Sequence, residues 1–272
     1  MSYATLSETE WEQVNHVWDL LDQGELDRAR EAVDALLRAR PGHPDLRIVD
    51  AAVCLDEGEP GQALESLRGA ERSADPALFF HLRALAQFEL VRFEPARDDA
   101  LRAVAVNTGL AEAHDLLARV YEHLGELEKS REHGAEARAI DPTAFSPPLQ
   151  ISNHEFDALV EESLRELPEP IRKKLDEVPV LVEDLPSHDV LTAEDPPLVP
   201  DLLGLFVGRH LLERSHLDLP GAPGAIDLFR RNLLRACLDR EELKREVRTT
   251  VRHEVGHLLG LDEDDLEDWG LA

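Results

Sequence analysis

His253-Glu254-Val255-Gly256-His257, followed at once by Leu258-Leu259-Gly260-Leu261-Asp262-Glu263, is the stretch on which the reading of this chain turns. Four residues of α-helix rise about 6 Å and rotate little more than one turn, so His253 and His257 face the same way. Two neutral imidazoles so placed can share a Zn2+ ion, while Glu254, one step round the helix, sits beside the ion as a base and not on it. The preceding residues supply the helix this requires. Asp239 followed by Glu242 resembles a capping box, Leu243, Val247, Val251, Leu258 and Leu259 form an apolar stripe, and no proline interrupts them. Gly260 offers the left-handed conformation that ends a helix and turns the chain back toward the two histidines.

A third ligand is expected from the acids that follow: Asp262, Glu263, Asp264, Asp265, Glu267 and Asp268. An arrangement with a glutamate on a later helix has no room before Ala272. The metzincin spacing, with its third ligand six residues after the second histidine, selects Glu263, with Asp262, Asp264 and a water as the alternatives. That pattern carries histidine there and a methionine turn below the metal, whereas the sole methionine here is Met1, so the chain is not a full metzincin.

From Phe156 onward the chain resembles the minimal zincin-like metallopeptidases of bacteria, built around H-E-x-x-H-x-x-G-x-x-(Asp/Ser). Phe156-Asp157-Ala158-Leu159-Val160 and Glu166-Leu167-Pro168 look like the opening helices of that family. Val180-Leu181-Val182-Glu183-Asp184 looks like its first strand, Leu203-Gly204-Leu205-Phe206-Val207-Gly208 like the next, and Leu212-Glu213-Arg214-Ser215 like the segment after it. Ile226-Asp227-Leu228-Phe229 and Arg245-Glu246-Val247-Arg248-Thr249-Thr250-Val251 lead into the histidine helix. The resemblance implies a zincin-like fold with a zinc peptidase site at His253, Glu254 and His257. Glu263 stands where the family has Asp or Ser, one methylene longer than aspartate.

The first half has a different signature. Gly24, Gly58, Val91 and Gly125 recur at steps of 34, 33 and 34 residues, followed in register by Ala29, Ala63, Ala96 and Ser130, then by Leu36, Ala70, Ala103 and Ala137. Small residues at a fixed period let paired helices approach closely, and Pro41 and Pro142 close two of the repeats. The pattern resembles tetratricopeptide repeats, four units over roughly residues 10 to 145. Ala118, Tyr121, Gly125 and Ala137 make the fourth unit the best match, and Val91 in place of glycine makes the third the weakest. Such arrays bind protein segments on a concave face.

Residues 146–153 continue a stiff, proline-containing linker that begins at Pro142. A second irregular stretch, from Leu185 through Pro196-Pro197 to Pro200, is long enough to act as a flap over a cleft. The net charge is −28, from 29 basic and 57 acidic residues, and both sides of Gln150 carry −14 (15 basic against 29 acidic, then 14 against 28). An evenly negative surface disfavours nucleic acid and anionic membrane and favours basic segments and divalent cations. No apolar run is long enough to span a bilayer, and the first residues lack a secretory signal. Cys54 and Cys237, without metal-site spacing, are expected to be buried, reduced thiols of a cytoplasmic protein. The histidines of the repeats (His16, His43, His81, His114, His123, His133) show no ligand spacing, and His210 and His216 are outer-shell candidates.

The expected architecture is multidomain: an all-α tetratricopeptide-repeat solenoid at 1–145, a linker at 146–153 and a small α+β zincin-like domain at 154–272. The expected function is zinc-dependent peptide hydrolysis, with Glu254 catalytic, His253, His257 and Glu263 on zinc, and a protein partner on the repeats. The alternatives are a non-catalytic repeat scaffold carrying a degenerate or structural zincin module, and a latent protease whose cleft the repeats cover.

Overall fold

The computed structural model describes residues 5–71, 73–175, 178–208 and 224–260. Contacts divide the chain into two compact units, Met1–Ser146 with Thr192–Val199, and Pro147–Leu191 with Pro200–Ala272.

The first unit is a succession of helix pairs: α1 (Glu8–Asp22) with α2 (Leu26–Ala39), α3 (Pro44–Asp56) with α4 (Pro60–Leu67), α5 (Pro76–Glu89) with α6 (Phe93–Val106), and α7 (Ala111–His123) with α8 (Leu127–Ile140). Proline stands first in α3, α4 and α5, where its missing N–H costs nothing and its fixed φ suits the helix. The alanines of the period, Ala29, Ala63, Ala96, Ala70, Ala103 and Ala137, are buried, because these are the points where helices cross closely. The second pair deviates: α4 ends at Leu67, and Ala70 is reached through Gly69 in the left-handed region.

The turn inside each pair is the same structure four times. Gly24, Gly58, Val91 and Gly125 have φ of 70°, 74°, 59° and 74°. The N–H groups of Glu25, Glu59, Arg92 and Glu126 donate to Leu20, Cys54, Gln87 and Tyr121 carbonyls at 2.8–2.9 Å, the six-to-one bond of a Schellman cap. Val91 therefore holds a conformation that costs an L-residue about 1–2 kcal/mol. Its side chain is 5% exposed, and burying a valine returns about 1.5–3 kcal/mol. Gly125 has no such compensation, since a Cβ there would meet nothing within 4 Å. Gly125→Val is expected to destabilise the array by about 1–2 kcal/mol, and Val91→Gly to be close to neutral. A chemical denaturation series in which Gly125→Val matched the parent would contradict this account.

The second unit opens with α9 (Asn153–Glu166) and α10 (Glu169–Leu175). A full capping box starts α9: the Ser152 hydroxyl accepts from Glu155 N at 3.2 Å, and Glu155 accepts from Ser152 N at 3.0 Å. Then come β1 (Val180–Glu183), α11 (His188–Leu191), β2 (Gly204–Val207), β3 (Ala225–Phe229), α12 (Arg230–Ala236) and α13 (Arg240–Leu259). The described strands form one sheet in the order β1-β3-β2. β1 runs parallel to β3, with Val180 opposite Ile226, and β2 runs antiparallel, with Gly204 opposite Leu228. Ile226 and Leu228 point to one face, where they join Phe156, Leu159 and Val160 of α9 and Leu243, Val247, Val251, Val255 and Leu258 of α13 in a single core. Helices cover one face of a small mixed sheet, an α+β arrangement.

The ion pairs Glu155–Arg240, Glu162–Lys244 and Glu166–Arg248 run along the outside of α9 and α13. Exposed pairs of this kind contribute little individually, so the apolar stripe fixes the packing of the two helices. Within the long stretch before β2, α11 buries Leu191 completely. The buried Asn232 amide donates to Pro200 O at 2.9 Å and Leu202 O at 2.8 Å, which fixes where β2 begins.

Cys54 and Cys237 are free and buried, as expected. Among the described residues no helix is long and apolar enough to cross a membrane.

Candidate metal centre

α13 carries the site. Asp239 caps it, its carboxylate accepting from Glu242 N at 2.8 Å. The reciprocal bond is displaced by one residue: Glu242 accepts from Leu238 N at 2.7 Å rather than from Asp239, so the capping box expected from Asp239 and Glu242 is half formed. At the other end Gly260 adopts φ 79°, ψ 26°, and its N–H reaches the carbonyls of Gly256 and His257. That is the left-handed stop the glycine was expected to provide.

Three faces of this helix have three different surroundings. Val247, Val251, Val255 and Leu258 are wholly buried in the core. His253 and His257 are half-buried, and their Nε2 atoms converge to 2.9 Å with the rings at 89° and centroids 4.5 Å apart. Thr250 and Glu254, 6% exposed each, lie under the start of β2. A Cβ on Gly204 would stand 2.7 Å from Thr250 Cγ2 and 3.1 Å from Glu254 Cγ. The spacing therefore separates the two histidines from the carboxylate in space as it does in sequence.

The histidine pair suits a metal. A tetrahedral zinc bonded to two imidazole nitrogens at about 2.0–2.1 Å holds those nitrogens about 3.3 Å apart, close to the observed separation. Imidazole nitrogen donors match the borderline character of the ion. Among the described residues no group of three or more His, Cys, Asp and Glu side chains stands ready to hold a metal. Glu263 lies outside the described residues, as do its competitors Asp262 and Asp264, and so do His210, His216 and Arg214. Asp227, the nearest acid on β3, alternates to the sheet face away from α13. There burial, and Glu183 beside it, push its carboxyl above the ordinary range.

Gly204 is the site feature that motif reading missed. Its signal was present, since a glycine inside a strand pattern marks close backbone approach. The helix that approaches it, however, lies about 50 residues further along the chain. Two of the repeat histidines lie between helices. His114 and His133 meet across α7 and α8, with Nδ1 atoms 3.1 Å apart.

The first unit contains a cleft of about 240 Å³ between α1, α3 and the start of α5. Trp11, Trp18, Ile48 and Leu78 line it, with Asp45 and Asp75 at its polar side. Both acids hold backbone in place: Asp45 accepts from Ala74 N at 2.6 Å, and Asp75 caps α5 by accepting from Leu78 N at 2.9 Å.

Residues 175–271 match the family of zincin-like metallopeptidases, and residues 14–78 match the tetratricopeptide repeat. No curated protein matches the chain. Among solved structures, one of MamA is 24% identical, covering 57% of this chain and 85% of that one, with a TM-score of 0.40. MamA from Desulfovibrio magneticus RS-1, residue 41 to the end, is 20% identical over 50% of this chain and 78% of that one, with a TM-score of 0.42. Pseudomonas aeruginosa PilF is 18% identical over 57% and 67%, with a TM-score of 0.44. The two matches fall on the two parts of the chain that the repeated caps and the histidine helix mark: residues 14–78 are similar to tetratricopeptide repeats, and residues 175–271 to zincin-like metallopeptidases.

Proposed function

We propose that this chain is a zinc-dependent peptidase with a built-in protein-binding adaptor: a repeat domain at 1–145, a linker at 146–153 and a catalytic domain at 154–272. The observation that carries the reading is the convergence of His253 and His257 Nε2 to 2.9 Å on one face of α13, with Glu254 held next to them under β2. In this reading His253 and His257 hold Zn2+, and Glu263, six residues beyond His257, completes the protein ligands.

When bound, zinc supplies Lewis acidity, polarising a peptide carbonyl and making water a better acid. Glu254 accepts the proton of the attacking water and delivers it to the departing amine nitrogen. β2 lies at the edge of the described sheet, and its outward N–H and C=O groups pair with an extended peptide to hold the scissile bond beside α13. Gly204 keeps that strand close enough to the helix for both tasks.

The repeat cleft takes the partner. Trp11, Trp18, Ile48 and Leu78 suit a bulky apolar side chain, and Asp45 and Asp75 suit a basic neighbour. The evenly spread −28 charge supports the same preference and opposes nucleic acid and anionic membrane as partners. Two free buried thiols support a reducing, cytoplasmic setting.

Metal removal tests the catalytic reading. The full chain is expected to cleave unfolded peptide substrates, to lose that activity on chelation, and to regain it with added zinc. His253→Ala/His257→Ala is expected to be inactive under all three conditions. Cleavage that survives chelation, or that persists in the double variant, would remove zinc catalysis and leave the scaffold reading.

A further inference from the structure

A second pair of imidazoles lies far from α13. His114, in the first turns of α7, and His133, in the middle of α8, bring their Nδ1 atoms to 3.1 Å, with ring centroids 5.2 Å apart and planes at 41°. His114 is buried, and the half-buried ring of His133 is stacked on Tyr121 at 15° and 5.6 Å. Both rings are therefore held by packing before any ligand arrives. The groups acting on the pair are Glu132, Glu136 and Lys129 of α8, with Lys129 also over the Tyr121 ring and Arg97 of α6 acting on Tyr121.

Two nitrogens at this distance share one proton or one cation, and two positive rings cannot stay there. The separation falls between the 2.9 Å of His253 and His257 and the roughly 3.3 Å that tetrahedral zinc imposes on two imidazole nitrogens. The two flanking glutamates place part of the chain's −28 charge beside the pair.

We propose that His114 and His133 form a second divalent-cation site of zinc-like preference, with two imidazole ligands from the chain and solvent completing the shell. Binding clamps α7 to α8 and so stiffens the fourth repeat. An ion that binds only the folded pair stabilises it by mass action, and protons compete with it for the same nitrogens. With two protein ligands the site binds more weakly than a three-ligand centre. The inference does not rest on the peptidase reading.

The test uses the full chain with His253→Ala/His257→Ala, which removes the α13 pair, titrated with ZnCl2 at neutral pH by calorimetry and followed by melting temperature. One equivalent is expected to bind and to raise the melting temperature. Adding His133→Ala is expected to lower the affinity about tenfold or more and to abolish the rise. His133→Gln, a polar side chain that lacks the imidazole donor, is expected to give the same loss. Absence of zinc binding in the double variant, or binding unchanged by either His133 substitution, overturns the proposal.

Discussion

Glu254→Gln is expected to lower kcat for peptide cleavage by about 10²–10⁴-fold while leaving zinc content unchanged. Glutamine has the same length and shape, so the contact of Glu254 Cγ with the start of β2 survives. What is lost is a group that can take and return a proton. Because Glu254 stands on a different face of α13 from His253 and His257, the two imidazoles are not disturbed. Single-turnover cleavage together with metal analysis separates the two effects. A Glu254→Gln chain that retains zinc and cleaves at the parent rate would refute Glu254 as the base. Loss of zinc would instead make it a ligand.

Gly204→Val is expected to cost the second unit about 3 kcal/mol, from overpacking between β2 and α13. The first added carbon already meets Thr250 Cγ2 at 2.7 Å and Asp227 O at 3.2 Å, and the partner atoms belong to a packed helix and a sheet neighbour. Valine favours strands over glycine, but by at most about 1 kcal/mol, so the clash wins. Relief must come from α13 moving outward, which carries Glu254 with it, and cleavage falls together with stability. Thr250→Ser removes the nearest clashing methyl and is expected to restore part of both. If Gly204→Val melts and cleaves like the parent, β2 and α13 are not in the contact described.

Much of this was legible in the chain because it depends on local periodicity. The 33–34 residue step of Gly24, Gly58, Val91 and Gly125 marked four paired-helix units, and the valine that weakened the pattern adopts the same left-handed turn as the three glycines. Burial offsets what its backbone costs, and burial is a tertiary quantity that no one-dimensional pattern contains. The capping of α13 by Asp239 and its ending at Gly260 were readable for the same reason, since both are settled within a few residues. The partner of Glu242 was misjudged by one residue, a difference that only the path of the chain into the helix decides.

Contacts between distant segments were not readable. Gly204 over Glu254, Asn232 on the carbonyls before β2, and His114 against His133 each join residues separated by 19 to 50 positions. The sequence by itself determined where helices begin and end, which faces are apolar, and that two imidazoles one turn apart point the same way, because helix geometry converts spacing directly into direction. Only the tertiary structure decided which strand lies over the carboxylate and which helices bring a second pair of imidazoles together, because packing in three dimensions, not distance along the chain, selects those neighbours.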